Sequence, residues 1–205
     1  ALVIPKTTQH PIPLSFAQER LWFIEQYEQG TNAYHMPEVY QLSPGTHLDA
    51  LKQAFAALVQ RHEILRTVFR LSEENLQYQF ILDEPFVIEE CLVSSMDNLK
   101  ALIEQDSNKP FDLIDTGPLR VVLYQLEQAD DSPLHYILIN THHVASDGWS
   151  TQIFHRDLMA YYRNYDQGTA LTLPEMPIQY KDFAVWQRGY LQDDRLDAQL
   201  SFWKE

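Results

Sequence analysis

Helical stripes and short apolar strands alternate along this chain, and no glycine-rich phosphate loop separates them. Ser15 followed by Gln18 is typical of a capping box and predicts a helix through about Tyr27. Within residues 76–82 the apolar residues Leu76, Tyr78, Phe80 and Leu82 recur with a period of two, which is typical of a strand. The mixture of both periods predicts an α/β protein. Without a phosphate loop, an α/β sandwich is favoured over a nucleotide-binding Rossmann fold.

The remaining elements follow from the same two periods. Thr46 with Asp49 predicts the start of a second helix with one apolar stripe. Within residues 76–82, strict alternation creates one consistently apolar face, which includes Phe80. A linker-like stretch is expected at 171–177. Further helices are predicted at 96–105, from 148 to about 165 and from about 178, and strands at 37–42, 66–71, 76–82, 119–126 and 134–141.

Charge and cysteine content exclude several function classes. The formal net charge is -14, so the chain should repel phosphate backbones, and no basic run could dock on anionic lipid. We therefore expect neither a nucleic acid nor a membrane as a partner. Cys91 is the only cysteine, which excludes an internal disulfide and a multi-cysteine metal site. A reducing, cytoplasmic compartment is the simplest interpretation.

The two ends of the chain indicate a piece of a longer protein. Residues 1–14 contain prolines and polar residues where a secretory signal would need an apolar core. At the other end, Leu196, Leu200 and Trp203 continue a helical stripe that no glycine or proline follows. We therefore expect the chain to be a fragment.

The segment LHYILINTHHVASDGWS, residues 134–150, carries the candidate chemistry. Strand alternation places His143 on one face and His142 on the other, so the two cannot serve one ligand. Asp147 and Gly148 lie in the turn before the next helix, where the helix dipole favours a carboxylate and glycine permits a close backbone approach, by substrate or by the chain itself. A structural role is the usual one for a single histidine. A metal site is disfavoured because no third histidine or carboxylate is in register.

Several stretches together resemble the condensation domains of nonribosomal peptide synthetases. HHVASDGWS fits the HHxxxDG motif, which these domains share with the chloramphenicol-acetyltransferase-like acyltransferases. The stretches LSFAQERLWFIEQ at 14–26, RHEILRTVF at 61–69 and YKDFAVWQ at 180–187 are similar to three further motifs, and PFDL at 110–113 with GPLR at 117–120 are typical of the family. These stretches span nearly the whole chain in the expected order.

The resemblance implies a chloramphenicol-acetyltransferase-like α/β sandwich that forms one lobe of a two-lobed condensation domain, with residues 1–205 as its N-terminal subdomain. A tunnel between the lobes would admit two phosphopantetheine arms, borne by donor and acceptor peptidyl carrier proteins, and no cofactor would be bound directly. The C-terminal subdomain and a neighbouring adenylation domain would be further partners. The domain would join a carrier-bound aminoacyl or peptidyl thioester to the amine of a carrier-bound acceptor.

The resemblance also assigns the candidate catalytic residues, which are those of the motif. His143, the second histidine, would act as a base or would position the amine, and His142 would be structural. Residues of the neighbouring motifs are expected to be structural as well, namely Ser15, Arg20, Trp22 and Asp182.

The rest of the motif is interpreted as support for the site. Asp147 would be a buried carboxylate paired with Arg61, or else with Arg66, because both arginines lie in the second motif. Gly148 would permit close packing near the site. Trp149 is expected in the core, where it would support the loop together with the following serine.

Subtype and function leave alternatives open. AQERLW at 17–22 with YHMP at 34–37 favours a domain whose donor ends in an L-residue, and the two histidines disfavour a heterocyclising relative. One rival function is a catalytically silent docking module that retains the fold. Another is a stand-alone acyltransferase that uses a diffusible acyl thioester.

Overall fold

A computed structural model describes residues 3–28, 31–129 and 132–191 of the chain. Its elements, in chain order, are α1 (Phe16–Tyr27), β1 (His35–Gln41), α2 (Leu48–Arg61), β2 (Thr67–Leu71), β3 (Gln77–Ile81), β4 (Glu89–Val93), α3 (Met96–Asn108), β5 (Leu119–Leu126), β6 (Leu134–His142), α4 (Gly148–Gln167) and α5 (Tyr180–Tyr190). A short 3-10 helix, Glu63–Arg66, joins α2 to β2. The predicted stripe of Leu196, Leu200 and Trp203 lies outside the described residues.

Four strands form the central sheet in the order β1-β6-β5-β4. β6 is antiparallel to both neighbours, with Ile139 opposite Glu38 of β1 and Val121 of β5. β4 runs parallel to β5, and β2 pairs with β3 in a separate antiparallel sheet. The sequence pattern predicts five of these six described strands. It misses β4, because the first two residues of EECLV are both glutamate.

The central sheet has a helical layer on each face. Towards α2 and α4, β6 presents Ile137 and Ile139, which belong to one buried cluster with Phe55 of α2. Towards α3 it presents Leu138, which is buried with Leu99. Successive side chains of β6 thus enter two different cores, as strand alternation predicts. Helices on both faces of one sheet confirm the α/β sandwich.

The two predicted helix starts have different outcomes. The side chain of Ser15 accepts the backbone N–H of Gln18 at 3.1 Å, and the Gln18 side chain accepts that of Ser15 at 2.8 Å, so the capping box is confirmed. Thr46 as a capping residue is wrong: the N-cap of α2 is His47, which makes no side-chain cap. Thr46 instead donates its hydroxyl to the carbonyl of Ser43 and closes the preceding turn.

β3 buries its polar face rather than its apolar one. Gln79 is 3% exposed, whereas Phe80 is 41% exposed. The buried amide donates to the carbonyl of Pro13 at 2.7 Å and accepts from Gln18 at 3.2 Å, so its burial leaves no polar group unsatisfied. The Phe80 ring lies under the Arg70 guanidinium, 4.2 Å from the ring centroid. The alternation therefore predicts the strand without predicting which face is buried.

The last part of the described chain follows the prediction closely. Residues 171–177 contain neither helix nor strand, as expected of a linker, and α5 begins two residues after the predicted start. In α5, Asp182 accepts the backbone N–H groups of Gln179 and Thr7, both at 2.7 Å. The carboxylate thus joins the N-terminal arm to the start of α5, which confirms its structural role.

Candidate active site at the end of β6

The end of β6 places two neighbouring histidines on opposite sides of the sheet. The backbone N–H of His142 donates to the carbonyl of Pro118, and that of His143 donates to the carbonyl of Tyr34, both at 2.8 Å. These bonds hold the two backbone positions against flanking segments. As alternation predicts, the side chains separate: His142 is fully buried and His143 is exposed.

The buried ring of His142 is hydrogen-bonded at both nitrogens. Nδ1 accepts the backbone N–H of Val144 at 3.0 Å, so the neutral ring carries its proton on Nε2, which faces Glu25 Oε1 at 3.0 Å. Burial lowers the pKa of His142 and outweighs the opposing effect of the Glu25 carboxylate. The ring also meets Phe111 edge-on, with centroids 5.7 Å apart. A neutral ring with both nitrogens engaged therefore anchors the start of the loop that follows β6.

His143 opens onto a cavity of about 430 Å³. The wall is formed by α1, the end of α2, the loop after β6 and the starts of α4 and α5, and it includes Gln18, His62, Asp147 and Tyr180. The His143 ring makes no hydrogen bond to any residue that the structure describes. Both of its nitrogens are therefore available to a ligand.

Asp147 is the N-cap residue of α4. Its Oδ1 accepts the backbone N–H of Ser150 at 2.8 Å and the Ser150 hydroxyl at 2.7 Å. The backbone bond and then the hydroxyl bond lower the pKa of Asp147, and a nearby His143 charge acts in the same direction. Ser150 thus supports the loop, as predicted. The side chain of Asp147 is exposed, however, so its predicted burial is wrong.

The predicted ion pair between Asp147 and Arg61 is also wrong. Arg61 Nε donates to Oδ2 of Asp157 at 3.0 Å, and its Nη2 donates to the carbonyl of Pro174 at 2.6 Å. Asp157 lies within α4 and is fully buried. A buried carboxylate needs cationic partners, whereas the exposed Asp147 is satisfied by the helix N-terminus. For this reason the arginine of the second motif pairs with the deeper carboxylate.

Arg66, the second predicted partner of Asp147, pairs elsewhere as well. Its Nη1 lies 3.5 Å from the carboxylate of Asp83 and donates to the carbonyl of Leu82. The side chain therefore joins the start of β2 to the segment that follows β3.

Gly148 and Trp149 both differ from expectation. Apart from its chain neighbours and the backbone of its own helix, no described atom lies within 4 Å of the position that a Cβ on Gly148 would occupy, so no other described segment of the chain packs closely against it. Trp149 is 76% exposed, so its predicted placement in the core is wrong, whereas its support of the loop stays a prediction. Both residues are exposed on the first turn of α4, between Asp147 and Ser150, which line the cavity.

Motif matching did not single out every residue of the cavity wall. The Tyr180 hydroxyl lies 2.9 Å from Ser15 Oγ, and burial raises its pKa. Arg20, predicted to be structural, is exposed and lines the cavity. Both residues lie inside stretches that resemble family motifs, which is the signal that could have found them. Trp22, by contrast, is buried as expected.

The described residues contain neither a cluster of metal-binding side chains nor a membrane-spanning helix. Among residues 3–28, 31–129 and 132–191, no group of three or more His, Cys, Asp or Glu side chains could hold a metal ion. In the same part of the chain, no helix combines the length and apolar character needed to cross a bilayer.

The α/β sandwich, with HHxxxDG where a central strand meets a helix, defines the chloramphenicol-acetyltransferase-like class. Within that class the Condensation domain family matches residues 8–205, so the chain belongs to the condensation-domain family.

Similar proteins are large synthetases. Phosphinothricin tripeptide synthetase PhsC of Streptomyces viridochromogenes is 39% identical over 95% of this chain, which corresponds to 18% of that protein. Malpibaldin synthetase of Mortierella alpina is 39% identical over 99% of this chain and 4% of its own length. This chain thus spans a small part of the curated relatives that it matches.

Solved structures share the fold. The X-domain from teicoplanin biosynthesis is 27% identical, with a TM-score of 0.84 over 98% of this chain and 44% of its own. The first condensation domain of the calcium-dependent antibiotic synthetase is 18% identical, with a TM-score of 0.73 over 93% of this chain and 46% of its own. At the lower identity the likeness concerns the fold alone.

Proposed function

We propose that residues 1–205 form the N-terminal, histidine-bearing subdomain of a nonribosomal peptide synthetase condensation domain. The domain would join a carrier-bound aminoacyl or peptidyl thioester to the amine of a carrier-bound aminoacyl acceptor. The observation that carries the proposal is the exposed His143 ring, without a described partner, on the cavity of a condensation-family chain. Coverage of 44% of the X-domain chain supports a second lobe of similar size.

The proposed reaction is an acyl transfer without a redox change. The neutral amine attacks the thioester carbonyl carbon, a C–N bond forms, the C–S bond breaks, and the thiol leaves with a proton that comes from the amine nitrogen. His143 would accept that proton or hold the nitrogen in place. A general base typically accelerates a reaction ~10²–10⁴-fold, which lowers the barrier by about 3–5 kcal/mol. Positioning two tethered reactants lowers the barrier by roughly 7–11 kcal/mol. Orientation would therefore be the larger effect.

The other motif residues would act through the position of His143. His142 would hold the strand end by its bonds to Glu25 and Val144. Asp147 would fix the start of α4 as its N-cap. The open space over Gly148 would let a substrate arm pass close to the backbone.

The partners follow from the proposed reaction. Substrates would arrive on the phosphopantetheine arms of donor and acceptor peptidyl carrier proteins, so the domain would need no cofactor of its own. The C-terminal condensation subdomain and a neighbouring adenylation domain would complete the assembly, in the cytoplasm. The donor would end in an L-residue, as the opening motif suggests.

Loaded carrier proteins provide the test. A two-lobed domain that contains this chain should convert donor and acceptor carriers into a dipeptidyl carrier, and residues 1–205 alone should not. Absence of product from the two-lobed domain would contradict the function. Product from residues 1–205 alone would contradict the two-lobe arrangement. An equal rate with a free coenzyme A thioester would favour a stand-alone acyltransferase.

A catalytically silent docking module is the second candidate. It is favoured by a structure named as a complex of the X-domain and OxyB from teicoplanin biosynthesis, which is 26% identical with a TM-score of 0.86 over 99% of this chain and 45% of its own. A docking module would bind a partner enzyme and form no dipeptide, even with His143 intact. The same carrier assay therefore separates the two candidates.

A further inference from the structure

A second histidine, His62, lies on the wall of the cavity that His143 faces. It follows the last residue of α2 and is held in place by one nitrogen: Nε2 lies 2.8 Å from Oδ2 of Asp157. Its side chain is 15% exposed, and that of Asp157 is fully buried. One imidazole of this cavity is thus fixed by a buried carboxylate, whereas the other has no such partner among the described residues.

Asp157 is a strong anchor because all its partners are cations or N–H donors. Oδ2 accepts from Arg61 and His62, and Oδ1 accepts from Arg156 at 2.8 Å. Burial alone would raise the pKa of Asp157, but these hydrogen bonds outweigh it and lower the pKa. Asp157 is therefore an ionised acceptor, and His62 must present an N–H to it.

This geometry determines the tautomer of His62. Burial lowers the pKa of His62 and, together with the Arg61 and Arg156 charges, outweighs the hydrogen bond and charge of Asp157, which raise it, so the ring is neutral. With the proton on Nε2, Nδ1 carries a lone pair. Nδ1 has no hydrogen-bond partner among the described residues. Nor is it fully buried, because it is absent from the set of buried polar atoms without a partner. An oriented acceptor therefore remains accessible at the cavity wall.

A purely structural role leaves this accessible acceptor unexplained. Arg61 and Arg156 already join Asp157 to the end of α2 and to its own helix. An apolar side chain at position 62 would cover the cavity wall without presenting a lone pair. The arrangement instead resembles an oriented histidine, in which a carboxylate sets the tautomer so that the other nitrogen meets a ligand.

We propose that Nδ1 of His62 accepts a hydrogen bond from an N–H group of the aminoacyl substrates, an inference that rests on the proposed function. Two sources share this chemistry: the α-amine of the acceptor, and an amide N–H of the donor arm. A bond to the amine would orient the nitrogen while its lone pair stays free to attack the thioester. His62 takes no proton in this role.

Two substitutions separate the two nitrogens of His62. In His62→Gln the amide N–H reaches the Nε2 position and keeps the bond to Asp157, but nothing replaces Nδ1. In His62→Asn the side-chain oxygen lies near the Nδ1 position, and the bond to Asp157 is lost. His47→Gln is the matched control, because His47 is an exposed histidine outside the cavity wall.

The assay is the initial rate of dipeptide formation by the two-lobed domain under multiple turnover, with each loaded carrier protein titrated in turn. We expect His62→Gln to lower kcat/KM about tenfold, the loss of one hydrogen bond, while His62→Asn recovers most of it and His47→Gln has no effect. A rise in KM for the acceptor carrier would identify the amine, and a rise for the donor carrier would identify the amide. A folded His62→Gln domain with wild-type kinetics overturns the inference.

Two checks keep the outcome interpretable. If the wild-type domain makes no dipeptide, the proposed function is contradicted. If the wild type is active and the variants keep its kinetics, only the proposed role of His62 is contradicted. The ¹⁵N chemical shifts of His62 are measured in the wild-type chain, so this check does not depend on whether a variant folds. They should show an Nε2–H tautomer at neutral pH, and an Nδ1–H tautomer would overturn the inference.

Discussion

Two neighbouring histidines at the end of β6 lie in opposite surroundings. On the α3 side of the sheet, His142 is fully buried, and Glu25 and Val144 engage its two ring nitrogens. On the other side, His143 faces an open cavity without a described side-chain partner. One step along a strand separates a fixed group from a free one, because successive side chains point to opposite faces.

Asp157 of α4 and Asp147, the N-cap residue of the same helix, divide in the same way. Asp157 is buried and ion-paired with Arg61 and Arg156, whereas Asp147 is exposed and bonded to the first turn of its own helix. A charge removed from water needs charged partners, and a charge that stays in water does not. In this part of the fold, therefore, the buried carboxylate joins distant segments through ion pairs, whereas the exposed carboxylate caps its own helix.

Replacing the free histidine should have the largest effect. In the two-lobed domain, His143→Ala should slow dipeptide formation ~10²–10⁴-fold, the usual loss when a general base or its equivalent is removed. The free energy of unfolding should change by less than about 0.5 kcal/mol, because the ring has no described partner. Single-turnover assays and denaturant titrations measure the two quantities. Near-normal product formation would show that His143 is dispensable.

Replacing the fixed histidine should reverse that pattern. His142→Ala removes a buried ring and leaves Glu25 without its donor, so the free energy of unfolding should fall by about 2–4 kcal/mol. Denaturant titration of residues 1–205 checks this, with His143→Ala as the matched control. Equal unfolding midpoints for the two variants would break the distinction between the two sides of β6.

Acidification should weaken the buried side. The pKa of His142 is lowered from its usual 6.5 by burial, so on acidification the unfolded chain binds this proton first. Its contribution to stability is present above about pH 6.5 and is lost as the pH falls towards the folded-state pKa, at up to about 1.4 kcal/mol per pH unit. The pKa of His62 is also lowered, so its protonation destabilises the folded chain over the same range of pH. His142→Gln should therefore show a shallower loss than wild type between about pH 7 and pH 5, and identical slopes would contradict this.

The smallest effect is expected at the exposed carboxylate. Asp147→Ala removes the N-cap of α4 and should lower the free energy of unfolding by about 0.5–2 kcal/mol, while Asp147→Asn should be close to neutral because asparagine caps equally well. Thermal or denaturant unfolding of the three proteins measures this. A loss above about 3 kcal/mol in Asp147→Ala would instead indicate the buried ion pair that the sequence predicted.

The sequence by itself determined what depends on nearby residues. The capping box of Ser15 and Gln18 needs residues three apart, and the bounds of β5 follow from its own short run of mostly apolar residues. The opposite orientations of His142 and His143 need only the geometry of one strand. The family resemblance added the HHxxxDG motif, whose position at the end of a central strand the fold confirms.

Only the tertiary structure decided which groups from distant segments meet. Arg61 pairs with Asp157, a carboxylate 96 residues away, and not with the predicted Asp147, because Asp157 is the buried one of the two. β3 could bury either face. The polar face is buried because the Gln79 side-chain amide finds hydrogen-bond partners in the Pro13 carbonyl and the Gln18 side chain. Contacts of this kind are chosen by the cost of burying an unsatisfied polar group, which depends on three-dimensional surroundings that no local pattern records.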